Sequence, residues 1–393
     1  MENTKKSGPL AGIKVIEMAA LGPVPFSGML LADLGAQVIR IERAGSPAPG
    51  VPMEPRFDIM SRGRRSISLD LKNPEGIELA LKLIATADML MEGMRPGAME
   101  RLGLGPDACL ARNPTLIYGR MTGWGQSGPL AQHAGHDINY LSMNGVLHAI
   151  GLEDGPPVPP INLVADYGGG SMFLVTGLLA ALLEARTSGQ GQVIDAAMLE
   201  GSSYLLSTIH MFTAAGMWQA ERGTNLLDSG APFYCVYATA DDKYMAVGAI
   251  EPKFYREFVA GLELDISNLP PPMDRTKWHA LKRVFTDTFR TRTRQEWTEI
   301  FSVRDACVTP VLSLEESVAH EHNRLRQNFV NLNGITQPNL APRFSRTDTA
   351  VTATATTPGA QGREILEEMG LSGQQIADFA HHGVVHLPEN SQT

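Results

Sequence analysis

Three cysteines are all that the 393 residues carry (Cys109, Cys235 and Cys307), and no C-x-x-C pair occurs. That excludes a disulfide framework and a thiolate zinc cluster, and it predicts a reducing, cytoplasmic home. Long apolar runs are missing too: nothing approaches the roughly 18 uninterrupted apolar residues needed to span a bilayer, so no membrane partner is expected. The opening MENTKKSGPLAG lacks the apolar core of a signal peptide, and the final NSQT matches no common address signal. Secretion is therefore not expected. Basic excess is absent as well, with 33 Lys and Arg against 42 Asp and Glu and a net charge of −9. A broad nucleic-acid surface needs a basic stripe to displace counterions, which excludes nucleic acid as a partner. Neither G-x-S-x-G nor a P-loop occurs, so serine-nucleophile and nucleoside-triphosphate chemistry have no support.

What remains is an ordinary globular composition, 43% hydrophobic and 19% charged, long enough for two domains. KVIEMA (14–19) reads as a strand, VPFSGMLLADLGA as a helix, QVIRIE as a second strand, and RRSISLDL alternates with period two. Asn73 is placed as an N-cap with Pro74 at the first helical position, continued by Ile77, Leu81, Ile84 and Ala85. DMLME, TLIYGRM and VIDAAM add strands, and YGGGSMFLVTGLLAALLEAR reads as a helix buried nearly all round. Strands alternating with helices predict an α/β domain with a mostly parallel sheet, whose ligands collect at the carboxyl ends of the strands. From about Gly223 the texture changes. APFYCVYATADDKYMAVGA reads as a hairpin turning at Asp241–Asp242, followed by helices in EPKFYREFVAGL and TKWHALKRVF. The expected division is a large domain over 1–200, a linker over 201–225, a smaller α+β domain over 226–333, and a C-terminal segment over 334–393.

Several motifs invite chemistry. GWGQSG (123–128) fits G-x-G-x-x-G, but Pro129 follows where a helix would be under way, and no acidic residue ends a second strand at the required offset. It reads as a loop that lets backbone approach a ligand. His320–His322 lacks the H-E-x-x-H spacing, and His381, His382 and His386 have no acidic or thiol partner nearby, so no metal site is expected. Arg62, Arg64 and Arg65 in SRGRRS, with Arg40 and Arg43 in IRIER, are either a solvated basic loop or a site for an anionic ligand. Three titratable residues sit at element junctions: His136 after Gly135, Asp166 before three glycines, and Glu251 before a proline-opened helix. Each reads as a helix cap or as a catalytic group, and taken singly Asp166 and His136 read first as structural.

Taken together, the stretches GPLAGIKVIEMAALGPVPFSGMLLADLGAQVIRIER, RSISLDLK, MRPGAMERLGLG, GRMTGWGQSGP, AGHDINYLSMNGVL, NLVADYGGG, GQGQVIDAAMLEG, GAPFY, MAVGAIEPKFY and CVTPVL resemble the family III CoA-transferases. Within them, His136 in GHDINY, Asp166 and Glu251 resemble the α-methylacyl-CoA racemases. The resemblance implies an α/β fold with a Rossmann-like large domain, a smaller α+β domain and an interlocked homodimer, the C-terminal segment returning to the large domain. It implies an active site between the large domain of one subunit and the small domain of the other, bringing Glu251 to His136 and Asp166. It also implies CoA contacts from Arg40, Arg43, Lys72, Arg95 and the Gly123–Gly125 loop, Gly123 and Gly125 supplying the bare backbone. The partner is an acyl-CoA thioester, and no cofactor is needed beyond the CoA that the substrate carries.

On that reading the chemistry is epimerisation of a 2-methylacyl-CoA. Two bases on opposite faces exchange the α-proton, His136 on one and Asp166 on the other, with Glu251 holding or balancing His136. General acid–base help is worth about 10²–10⁴-fold, too little for so weak a carbon acid, so the enolate oxygen needs a donor too. The amides opening a helix at His136–Asp137 are the candidates, with Tyr140 and Asn162 lining the pocket. Met143, Met172, Met198, Met211 and Met217 offer either an adaptable surface to the acyl chain or ordinary core filling. Two other readings stand: a CoA-transferase with Asp166 as nucleophile, and a CoA-ester-binding protein without turnover.

Overall fold

The strands of the first half carry apolar residues on both faces because both faces are covered. The computed structural model describes residues 8–44, 50–51, 53–349, 351 and 353–388. Its strands are β1 (Lys14–Met18), β2 (Gln37–Arg43), β3 (Arg65–Leu69), β4 (Met89–Glu92), β5 (Ile117–Thr122), β6 (Gln192–Ala197), β7 (Tyr234–Ala238), β8 (Tyr244–Gly248), β9 (Val308–Pro310), β10 (Phe329–Leu332), β11 (Ile335–Pro338) and β12 (Val385–His386). Seven of them form one sheet in the order β12-β3-β2-β1-β4-β5-β6. β1 to β6 run parallel, and β12 pairs antiparallel with β3. The strand order reverses at β1, which puts the ligand crevice of such a sheet at the carboxyl ends of β1 and β4.

Alternation along β1 and β2 divides the two faces. Ile16, Met18, Ile39 and Ile41 join Leu79, Leu83 and Ile84 of the helix Pro74–Ala85, together with Ile365 and Leu366, in one core. Asn73 caps that helix, its side-chain oxygen accepting the Glu75 N–H at 2.9 Å, with Pro74 at the first position. On the opposite face Glu17 and Arg40 are buried, and the helix Pro23–Asp33 crosses them at Gly28. A Cβ on Gly28 would stand 2.0 Å from Glu17 Oε2, so only glycine lets that helix approach.

The reading of SRGRRS as a solvated basic loop does not hold for Arg62 and Arg64, which are buried, and Arg64 lines the same cavity as Arg40. Arg62 is buried against Asp33 at 2.6 Å, Arg64 is buried against Glu17, and Arg65 pairs with Glu368 at 2.9 Å. The desolvated guanidiniums of Arg62 and Arg64 are tolerated because each meets a buried carboxylate.

The apolar run after the glycines forms a π-helical segment, Leu163–Ser171, continued by the helix Met172–Ser188. By length and composition Leu163–Ser188 is apolar enough to cross a membrane. In the fold one side of it packs on the sheet, Leu174 and Leu178 on Gly119 of β5 and Gly177 on Ile194 of β6. It is not buried all round, since Met172 and Leu183 are exposed.

The chain divides into two compact units: Met1–Asn144, Ile161–Leu205 and His322–Thr393 form the first, Gly145–Pro160 and Leu206–Glu321 the second. This differs from a division at 200, 225 and 333. Residues 145–160 join the second unit because Arg222 donates to the carbonyls of Gly155 (3.1 Å) and His148 (3.4 Å). Residues 322–333 join the first, where β10 and β11 form a hairpin whose Gln337 and Pro338 accept from Arg62 Nη1. The second unit is α+β. The β7–β8 hairpin turns at Asp241–Asp242, with Asp242 at φ +53, and β9 completes an antiparallel sheet. Its core is aromatic: Phe258, Phe285, Phe289, Trp297 and Phe301 interlock beneath the sheet.

Candidate active site

The GWGQSG loop leaves the carboxyl end of β5 and turns sharply. Gly125, at φ +89, donates its N–H to Thr122 Oγ1 at 2.9 Å, and Gln126 N–H reaches Asp195 Oδ2 at 3.0 Å. Gly123 is glycine for lack of room: a Cβ there would meet the Tyr140 ring at 2.2 Å. Tyr140 is buried, its hydroxyl donates to the Gly135 carbonyl, and Trp124 sits edge-on to its ring. That contact fixes the residue preceding His136. Burial and the nearby Asp166 and Asp137 carboxylates push the Tyr140 hydroxyl up to about 12, so it stays protonated.

His136 is extended (φ −129, ψ 176) at the start of the helix Asp137–Met143. Its imidazole is exposed, and its backbone N–H is taken by Asn139 Oδ1 at 3.0 Å. The His136 amide is therefore removed from the expected pair of enolate donors. The N–H groups of Asp137 and Ile138 meet no acceptor among the described residues. Asp137 itself is buried. Its Oδ2 accepts the N–H groups of Ala165 (2.7 Å) and Asp166 (2.9 Å), 28 and 29 residues further on.

Asp166 lies inside the π-helical segment and not at its N-cap, which is Asn162. π-Helical turns widen a helix by one residue and recur at functional sites. Here the segment packs against the helix Met198–Leu205 so closely that a Cβ on Gly201 would stand 1.8 Å from the Gly169 carbonyl oxygen. The Asp166 carboxylate is half-buried and accepts from Asn162 Nδ2 at 3.2 Å. Burial raises its pKa above the usual carboxylate range. The Asn162 bond opposes that, the Asp137 charge adds to it, and His136 opposes it. Its Oδ2 also lies against Gly22, 3.4 Å from where a Cβ would be, at the turn after β1. Gly22 and Arg40 line a cavity of 440 Å³. His136, Asp137, Asn162 and Asp166 thus meet beside the loops that follow β1 and β5.

The cations expected to hold CoA divide. Arg40 is buried, 2.9 Å from Glu42 and hydrogen-bonded to Ser61 Oγ at 2.9 Å. Arg43 at the end of β2, and Lys72 and Arg95 beyond the ends of β3 and β4, are exposed and have no carboxylate partner among the described residues. Arg43 and Lys72 line a cavity of 610 Å³. In the second unit Glu251 is exposed at the N-cap of the helix Pro252–Gly261, and its side chain does not cap. Asp166 and Glu251 are not side-chain caps, whereas His136 opens its helix with Asn139 in a capping-box arrangement. Of the five methionines only Met198 fills a core; Met143, Met172, Met211 and Met217 are exposed.

Asn139 and Gly22 are site residues that the sequence reading missed. Asn139 was detectable, three positions after the helix-opening His136 as in a capping box. Gly22 carried no signal, since its role depends on a segment about 140 residues away.

The family model described as CoA-transferase family III matches residues 10–362. Alpha-methylacyl-CoA racemase of Mus musculus is 46% identical over 379 residues, 96% of this chain and 97% of that protein. Alpha-methylacyl-CoA racemase of Homo sapiens is 44% identical over 372 residues, 93% of this chain and 95% of that one. The crystal structure of a CAIB/BAIF family protein from Brucella suis superimposes with a TM-score of 0.79 at 25% identity, covering 92% of this chain and all of that one.

Proposed function

The chain belongs to CoA-transferase family III, and from that premise we propose that it interconverts the (R) and (S) epimers of 2-methylacyl-CoA thioesters. One observation carries the reading: identity of 46% and 44% to two racemases along more than nine-tenths of the chain. The reaction removes the α-proton from one face of the thioester and returns a proton to the other. His136 and Asp166 are our two bases. Supporting this, burial raises the carboxyl of Asp166 above the usual carboxylate range, the direction that makes it a better proton acceptor. The unpartnered N–H groups of Asp137 and Ile138 support an enolate site, where one well-aimed donor is worth roughly 2.7–4 kcal/mol. Arg43, Lys72 and Arg95 are our ligands for the phosphates of CoA, as cations at the ends of parallel strands without a carboxylate partner among the described residues. Arg40, committed to Glu42, acts behind them. The active form on this reading is a homodimer in the reducing cytoplasm, Glu251 of one chain serving His136 of the other, with no cofactor beyond the substrate's own CoA.

The test is incubation with a single epimer of a 2-methylacyl-CoA in D₂O without an acid acceptor, following α-deuterium by mass and configuration by chiral separation. Deuterium uptake with loss of optical purity is expected, and His136→Ala abolishes both. No exchange, with CoA transfer once a carboxylic acid is supplied, would make Asp166 a nucleophile and the racemase reading wrong.

A further inference from the structure

We propose that Asp137 is a positioning residue of this reaction: its carboxylate fixes the peptide of Asp166 to the residue that follows His136, so that one side chain sets the spacing of both bases. The inference rests on the racemase reading for its chemistry and on hydrogen bonds for its geometry.

His136 and Asp166 stand on separate elements. Apart from side-chain packing, what joins those elements is the pair of bonds from Ala165 and Asp166 N–H to Asp137 Oδ2. These are early amides of the π-helical segment, where the helix leaves N–H groups without partners of its own. A buried carboxylate is the strongest acceptor available for them. Its other oxygen, Oδ1, is buried with no hydrogen-bond partner. A neutral asparagine would hold the same two N–H groups without the cost of a desolvated anion. The retained charge therefore has a second effect, and Asp166 feels it: the Asp137 carboxylate adds to burial in raising the Asp166 carboxyl.

The groups around Asp166 are few. From the helix Asp137–Met143 and its N-cap come His136, Asp137 and the protonated Tyr140, and Asn162 bonds from its own segment. The turn after β1 contributes only Gly22. The charged residue of the helix Met198–Leu205, Glu200, is exposed. In β6, Asp195 is engaged with Gln126.

Two substitutions separate clamp from charge. Asp137→Asn keeps an acceptor oxygen and removes the charge; Asp137→Ala removes both. In Asp137→Ala the amides of Ala165 and Asp166 lose protection from hydrogen exchange. There kcat falls roughly 10²-fold, as a misplacement of about 1 Å does, with KM nearly unchanged. In Asp137→Asn the amides stay protected, and the Asp166 carboxyl, titrated by ¹³C NMR, moves to lower pH together with the limb of the kcat/KM profile that it governs. The proposal is overturned if Asp137→Ala retains kcat within threefold, or if Asp166 titrates unchanged in Asp137→Asn. Should Asp137→Ala fail to fold, Asp137→Ser, whose shorter side chain does not reach both amides, is read by the same amide exchange and kcat, and protection and kcat as in the parent would overturn the proposal. Because the titration and the amide exchange need no turnover, a protein inactive as a racemase would sink the functional reading and leave the clamp to be judged by itself.

Discussion

Glu92 closes β4 with no exposed surface, accepting from the Met94 N–H at 2.6 Å and from Arg120 Nε at 3.0 Å. Desolvation outweighs both partners, so the folded state holds this carboxyl up to about 7, against a usual value of 4.5. Between those two values the folded protein keeps a proton that the unfolded chain has released. Stability therefore falls as pH rises through that window, by at most about 1.36 kcal/mol per pH unit for this one group. Unfolding free energies of the parent and of Glu92→Gln, measured from pH 5 to 8, are expected to show a flatter fall in the variant. Parallel slopes would contradict the assignment. Nothing in DMLME announced this carboxyl, because a glutamate at a strand end is normally solvated. In the fold Arg120 on the neighbouring strand bridges it to Glu100.

At the scale of the element, the π-helical segment is the feature on which the site depends. The sequence Tyr-Gly-Gly-Gly (167–170) predicts a helix opening, and a helix is there, but its first turns are wide and Asp166 lies within them. The glycines allow close approach: Gly169 and Gly201 bring two helices into backbone contact. Gly201→Ala is expected to push the segment outward, lowering kcat by roughly 10²-fold with a smaller effect on KM. Steady-state kinetics decide it, and a kcat within twofold of the parent would show that the segment's position does not matter. Strands and helices elsewhere were legible because periodicity follows burial. The hairpin at Asp241–Asp242 and the Asn73–Pro74 helix start were as plain in the sequence as in the fold. The widened helix was not, since period 3.6 and a local π turn leave the same apolar pattern over so short a run.

The whole molecule raises the question of where Glu251 acts. On the dimeric reading each site takes His136 and Asp166 from one chain and Glu251 from the other. His136→Ala and Glu251→Ala, each inactive alone, are then expected to recover activity when mixed under conditions that exchange subunits. A mixed dimer carries one complete site, so up to about a quarter of the parent activity returns after random exchange of equal amounts, since half the dimers are mixed. Absence of recovery in a mixture shown to contain mixed dimers would assign Glu251 to its own chain or to no role in the site.

The sequence by itself determined the parallel α/β layering, the change to an α+β region, and the place of His136, Asp166 and Glu251 at element junctions, their proposed chemistry coming from the family resemblance. Each of these follows from local pattern, and local pattern is what a chain carries explicitly. Tertiary structure decided what long-range pairing alone can decide. It turned Arg62 and Arg64 of SRGRRS into buried ion pairs, moved 145–160 into the second unit, and withdrew the His136 amide by bonding it to Asn139. It also joined Asp137 to the peptide of Asp166. Such pairings depend on desolvation and on which elements meet, and residues 28 apart in sequence give no sign of a shared hydrogen bond until the fold brings them within 3 Å.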